Sequence, residues 1–373
     1  NAQNRGRNVV VDCLDLGTEP EFRRFPVEHH CNVERFHRAV RKVRKLEVFF
    51  DDSCRSVEGR IHDRYAANET RFEEAIARLE AWHDAGRPAR SGVETFYSPV
   101  EAGDLDHAVA TSLWHAWISA AMDRILNEEA FPGVYYPTGD TGRTRTLVAM
   151  FDGRGAGNPL DLASWNPATE ESIFFDIKDT PELETSDEVL LIALEQALND
   201  LEAPETDPGF GGYGTDDMSQ YLWGLRHMVK FESLLAEAFG SDPTFAFLVE
   251  PFNINTDVLP LADDIPGDDP RADLPWFPRH GDQLAVDAGN PGFGAGDHTY
   301  GSGPVFRMAI ALGPDGAEGV NMLPGGQSGL NDSEHFADQA ALWLGNETWP
   351  MHTDLDAVLG DAIRIEYFPK TGL

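Results

Sequence analysis

The stretch Leu323-Pro324-Gly325-Gly326-Gln327-Ser328-Gly329 decides how the chain is read. A proline followed by two glycines lets the backbone turn through conformations closed to other residues and leaves its peptide groups uncovered. A tight, hydrogen-bond-rich loop between a strand and a helix is expected. Upstream, Gly303-Pro304-Val305-Phe306-Arg307-Met308 leads into the apolar run Ala309-Ile310-Ala311-Leu312, so a strand is expected from Val305 to Leu312. Downstream come Ser333-Glu334-His335-Phe336-Ala337-Asp338-Gln339 and then Leu342-Trp343-Leu344-Gly345.

The order of these pieces resembles the C-terminal end of the β-chain in the penicillin acylase (penicillin amidase) family of N-terminal-nucleophile hydrolases. In that family a Gly-Pro-aromatic-Arg-Met strand leads to Pro-Gly-Gly-Gln-Ser-Gly. A Ser-x-His-aromatic-x-Asp-Gln helix and a Trp-Leu-x-Gly segment follow. All four occur here in order, carried by Arg307, by Pro324 through Gly329, by His335, Asp338 and Gln339, and by Trp343. A second segment, Tyr221 to Phe231, is similar to a Trp-Gly-x-x-His-x-x-x-Phe junction at Trp223, Gly224, His227 and Phe231. His227 is expected there as a buried, hydrogen-bonded histidine rather than a catalyst.

Composition sets the outer bounds. The chain has 373 residues, is 41% apolar and carries a formal charge of −35. That is globular composition, with enough chain for a large core. Of 29 basic residues only Lys42, Lys45, Lys178, Lys230 and Lys370 are lysines, leaving 24 arginines. So negative a field repels phosphate backbones and anionic lipid, which argues against nucleic-acid or membrane-surface partners and suits a saline, cation-rich medium. No apolar run is long enough to span a bilayer. Cys13, Cys31 and Cys54 lack a Cys-x-x-Cys spacing, so a zinc or redox site is not expected.

Taken in order, the chain is helix-rich over residues 35–235 and strand-rich over 282–373. Arg35, Arg38, Arg41, Lys42, Arg44 and Lys45, with Phe36, Val40 and Val43 between them, fit an amphipathic helix. Phe72, Ala75, Ile76, Leu79 and Trp82 form one stripe of a helix that Asn68 should cap. A second helix is expected from Asp106 to Asn127, and tryptophans 82, 114 and 117 as core anchors. Thr146 to Phe151 is an apolar piece without clear periodicity. Thr185-Ser186-Asp187-Glu188 reads as a capping box opening a helix inward-facing at Leu190, Leu194, Leu198 and Leu201. Pro208 to Gly214 contains Gly-x-Gly-x-x-Gly, but no strand is expected before it and Asp216-Asp217 follow, so it is read as a loop. The acidic stretch 250–282, the pair Asp297-His298 and His280-x-Asp282 are read as loops rather than metal sites. Strands are expected at 283–288 and, by its alternation, at 362–368.

The resemblance implies an α+β fold, the four-layer αββα sandwich, of which this chain would hold part together with a helical segment. Residues 1–373 would form one incomplete catalytic domain, partner-dependent in solution because its sheets expose edges. Its partners would be an upstream α-chain, the N-terminal part of the β-chain and a small acyl amide. In this family a precursor cleaves itself to expose an N-terminal Ser whose own amine serves as its base. That nucleophile would lie upstream of Asn1, whose amide has no nucleophilic hydroxyl, with any export signal to the periplasm or exterior further upstream. Asn4 or Asn1 would supply the oxyanion-hole amide. Arg41, second arginine of Arg38-Ala39-Val40-Arg41, would approach the active site and orient an acyl or carboxylate group. Asp12 or Asp15 would contribute to a structural Ca²⁺ site, and no catalytic cofactor is expected. Alternatives are an acylase of acyl-homoserine lactones or fatty-acyl amides on the same fold, and a non-catalytic binding or structural module.

Overall fold

In the computed structural model, which describes residues 57–127, 140–152, 164–166, 168–178, 180–207, 210–240, 242–283, 289, 291–293, 298–301, 303, 306–314 and 316–361, the first apolar stripe is longer than expected. Helix α1 runs Val57–Asp84. Asn68 is therefore inside it rather than capping it, and its Nδ2 donates to the Arg64 carbonyl (3.0 Å) and to Glu195 (3.2 Å). Ile61 extends the buried face upstream, which is why the helix does not start at Asn68.

The chain forms two compact units. The first comprises the described part of Asn1–Thr95 with Pro99–Val229 and Asp264–Gly303. Here α1 packs with α2 (Asp104–Met122) and α4 (Ser186–Glu202), while α3 (Asp140–Asp152) turns Leu147, Met150 and Phe151 inward. The apolar piece at 146–151 is thus helical. Phe72, Ile76, Leu79, Leu113, Trp117 and Leu194 are fully buried, each contributing about 1.5–3 kcal/mol before its entropy cost. Tryptophans 82, 114 and 117 are core anchors as expected, and the Trp117 indole donates to the Leu190 carbonyl at 2.9 Å. Buried almost all round, α2 begins two residues before the expected start and ends in a π-helical turn, Asp123–Asn127, instead of continuing as an α-helix.

Two further expectations are corrected in this unit. The helix at Ser186 opens without the reciprocal capping box. Glu188 is held by both arms of Arg60 at 2.8 Å, and the Ser186 N–H and hydroxyl both donate to Glu171 (2.7 Å). A strand does precede the glycine-rich loop: β3 (Glu205–Asp207) pairs with β4 (Phe210–Gly211). The next helical turn is the short Met218–Gln220, capped by Asp217, which offers a phosphate no cradle. Gln283 lies in a turn, and residues 284–288 and 362–368 fall outside the described residues. Short antiparallel pairs complete the unit: β1 (Trp165–Asn166) with β2 (Glu171–Ser172), and β5 (Met228–Val229) with β6 (Phe277–Pro278).

The second unit comprises Phe96–Ser98, Lys230–Asp263 and Pro304–Leu373 as far as described. Its sheet has the order β7 (Arg307–Gly313), β8 (Gly316–Met322), β9 (Trp349–Met351), all antiparallel. The strand foreseen from Val305 is thus seen from Arg307, with Val305 outside the described residues. Met308, Ile310 and Leu312 alternate along β7 and are exposed at 52%, 50% and 86%. Two short helices, α5 (Ala236–Phe239) and α6 (Ala246–Val249), also belong to this unit; Ser333 to Gln339 form turns, and the helix α7 starts only at Ala340 (Ala340–Leu344). Helix and strand together make the described fold α+β. Among the described residues no helix is long and apolar enough to cross a membrane.

The charge has a measurable consequence. Several of the described arginines are committed to ion pairs, such as Arg71 with Glu202 (2.9 Å) and Arg90 with Asp104 (3.1 Å), and the chain as a whole carries a large excess of negative charge that repels itself. Raising NaCl from about 0.1 M to about 1 M shortens the screening length from about 10 Å to about 3 Å. Stability should rise by on the order of 1 kcal/mol, moving Tm up by roughly 2–4 °C in a thermal melt. An unchanged or lower Tm would contradict this account.

Candidate functional site

The signature stretch closes on itself within the second unit. Gly325 has φ +148°, a conformation that suits glycine, and its carbonyl accepts from the Gln339 N–H at 2.7 Å. Gly326 is pressed against the backbone carbonyls of His335 and Phe336. The Ser328 N–H donates to the His335 carbonyl (3.0 Å), and the Leu323 N–H donates to the Gln339 side chain (3.3 Å). Gln339 is needed in place to satisfy two strands of this loop, which explains why the turns before α7 do not wind into a helix. Pro324 opens the turn, while Gln327 stands on the solvent side.

Arg307 and Trp343 fasten the sheet to α7. The guanidinium lies 4.0 Å from the Trp343 ring centroid and donates to the Trp343 carbonyl (2.6 Å) and the Asn346 side chain (2.8 Å). His335 Nδ1 meets Asp338 Oδ2 at 2.9 Å, and that bond raises the imidazole pKa. The pair is solvent-exposed at His335.

The Trp223-Gly224-x-x-His227 segment is buried in the first unit. The Gly224 N–H donates to the Ser91 carbonyl (2.8 Å), and the Trp223 indole to the Gly281 carbonyl (2.7 Å). His227 is fully buried and its Nδ1 lies 2.8 Å from the His298 carbonyl oxygen. A carbonyl can only accept, so Nδ1 carries the proton. His227 is thus the buried, hydrogen-bonded histidine expected from the sequence. Trp223 is sandwiched between His227 (centroids 4.7 Å apart) and His115 (4.6 Å), with His298 at 5.5 Å. Burial first, and repulsion from His298 and His227 next, push the His115 pKa well below its usual value.

Sequence reasoning missed this aromatic and imidazole stack. His115 stands between Trp114 and Trp117 on α2 with no local pattern to distinguish it, and His298 belongs to a pair read as a loop. Only the tertiary fold brings them to Trp223. His280 Nδ1 accepts from the Ser91 N–H (2.8 Å), a structural role, and Asp269 pairs with Arg271 (2.6 Å). No cluster of three or more His, Cys, Asp or Glu side chains able to hold a metal exists among the described residues. Asn1, Asn4, Arg41, Asp12, Asp15 and the three cysteines lie outside the described residues.

Polar groups of the two signature segments are therefore spent on holding backbone in place, in a chain whose described fold is α+β. A family model described as Penicillin amidase matches residues 27–359, and the chain belongs to that family. The family is one of amidohydrolases of the N-terminal-nucleophile class, which places the chain among hydrolases of amide bonds. A comparison with curated proteins finds no match.

Proposed function

We propose that the chain is the C-terminal portion of a self-processed acylase that cleaves linear amides of acylated amines. An N-terminal Ser upstream of Asn1 attacks the amide carbonyl, with its own α-amine as base, and water releases the acid from the acyl-enzyme. Asn4 or Asn1 donates to the oxyanion and Arg41 orients the acyl or carboxylate group. Asp12 or Asp15 contributes to a structural Ca²⁺ site. In this reading residues 1–373 complete one αββα catalytic domain, exported to the periplasm or beyond, together with an α-chain and the first part of the β-chain.

The observation that carries the proposal is the family match over residues 27–359, joined to the structural use of Arg307, Gln339 and His227 described above. The exposed apolar residues of β7 agree with a sheet that expects more polypeptide beside it. The test compares the full-length precursor with the isolated 373-residue chain on a phenylacetyl amide and a long-chain acyl amide. The precursor should turn over at least one of them and the isolated chain neither. Turnover by the isolated chain would overturn the placement of the nucleophile. Preference for the long-chain amide would favour a fatty-acyl acylase on the same scaffold.

A further inference from the structure

The sequence holds three Asn-x-Ser/Thr triplets: Asn68-Glu69-Thr70, Asn331-Asp332-Ser333 and Asn346-Glu347-Thr348. Such a triplet accepts N-linked carbohydrate when its asparagine stands in a surface loop of an exported protein. The motif is short enough to arise by chance, so the folded surroundings of each asparagine decide what it can do.

Two of the three are already engaged. Asn68 is buried within α1, where its Nδ2 donates to the Arg64 carbonyl (3.0 Å) and to Glu195 (3.2 Å). Those bonds use both amide hydrogens, and a sugar there would force α1 away from α4. Asn331 is exposed, but its Nδ2 donates to the Pro251 carbonyl at 3.0 Å and ties two loops of the second unit together. The Ser333 hydroxyl of the same triplet accepts the His335 N–H (3.2 Å).

Asn346 is held differently. It ends α7 as the left-handed residue of a Schellman turn, with φ +56°. Its N–H donates to the Trp343 carbonyl (3.2 Å), and the following N–H, of Glu347, donates to the Leu342 carbonyl (2.8 Å). Its Oδ1 accepts from the Arg307 guanidinium at 2.8 Å, which fixes the carbonyl end of the side-chain amide. The amino end makes no hydrogen bond among the described residues, and Asn346, Glu347 and Thr348 are all exposed. One side chain thus presents its nitrogen to solvent while its oxygen anchors it.

We propose that Asn346 is a carbohydrate attachment site, carrying an N-linked oligosaccharide on the turn between α7 and β9. The donor is a polyprenyl diphosphate-linked oligosaccharide. Nδ2 attacks the anomeric carbon of its first sugar, the bond from that carbon to the diphosphate oxygen breaks, and the lipid diphosphate leaves. Nδ2 gives one proton to a carboxylate of the transferase. The product is still an amide with its carbonyl oxygen, so the bond from Arg307 survives the modification. The proposal rests on the exported location in the reading above and on no other part of it.

The test is to secrete the full-length protein from a yeast behind a supplied signal peptide, so that the outcome depends neither on its own export signal nor on amide hydrolysis. The secreted protein is treated with peptide N-glycosidase in heavy-oxygen water, which turns each occupied asparagine into labelled aspartate, and its peptides are read by mass spectrometry. Label is expected at Asn346 in most molecules and at Asn68 in none. Thr348→Ala destroys the triplet but leaves Asn346 and its bond to Arg307, so it should abolish the label, and Thr348→Ser should keep it. Unlabelled Asn346 in the secreted protein, or label persisting in Thr348→Ala, would overturn the proposal. Label at Asn346 in yeast, with unmodified protein retained inside its own cells, would uphold the acceptor site and count against the exported location instead.

Discussion

Gly326→Ala is expected to cost about 3 kcal/mol, at the upper end for an overpacked site. A Cβ at this position would be 2.6 Å from the Phe336 carbonyl carbon and would meet the carbonyl oxygens of His335 and Phe336 as well. These are backbone atoms, and they cannot swing aside. The His335 carbonyl is also the acceptor for the Ser328 N–H, so displacing it breaks the loop's own closure. Gly329 supplies the control within the same seven residues. A Cβ there meets nothing within 4 Å, and Gly329→Ala should stay within about 0.5 kcal/mol of wild type. Urea unfolding of the two variants checks both values, and a midpoint lowered without change in m locates the effect in the folded state. Equal stability of the two variants would mean that the turn is not held as described.

The contrast also shows what the sequence conveyed. Pro324-Gly325-Gly326 announced a turn because only a few residue types permit such backbone, and the structure uses Gly325 in that way, while Gly326 leaves room for the close approach of the His335 and Phe336 carbonyls. The apolar stripe from Phe72 to Trp82 was legible for a similar reason, since helical periodicity acts over short range. Long-range partners were not legible. Asn68 has the chemistry of a cap, yet Ile61 continues the buried face and draws the helix past it. Thr185 and Glu188 have the spacing of a capping box, but Arg60, 128 residues earlier in the chain, claims Glu188. Ser333 to Gln339 fails to become helical because Gln339 is bonded to Gly325 and Leu323. The pairing of His115 with Trp223 likewise depends on which faces of α2 and the Trp223 turn come together, and neither segment encodes the other.

That stack should make stability fall in mild acid. In the folded protein His115 is fully enclosed, between Trp223 and Phe293, and both of its ring nitrogens lack partners among the described residues. Its folded pKa is depressed, whereas in the unfolded chain it titrates near the ordinary 6.5. Above that value neither state binds the proton, and His115 imposes no pH dependence. As pH falls below 6.5 the unfolded state takes up a proton that the folded state refuses, so unfolding gains about 1.4 kcal/mol per pH unit until the folded pKa is reached. By pH 5 the loss from this residue alone can reach at most about 2 kcal/mol. Carboxylates in so acidic a protein add their own slopes, some of opposite sign, so the quantity to read is the difference between wild type and His115→Leu. The variant gives up a stacking contact of about 0.5–1.5 kcal/mol but also removes two unpaired buried nitrogens, and it should be close to wild type at pH 8. Between pH 6.5 and pH 5 it should become progressively the more stable of the two, as measured by urea midpoints at each pH. Parallel pH profiles for the two proteins would show that His115 is protonated in the fold as readily as out of it.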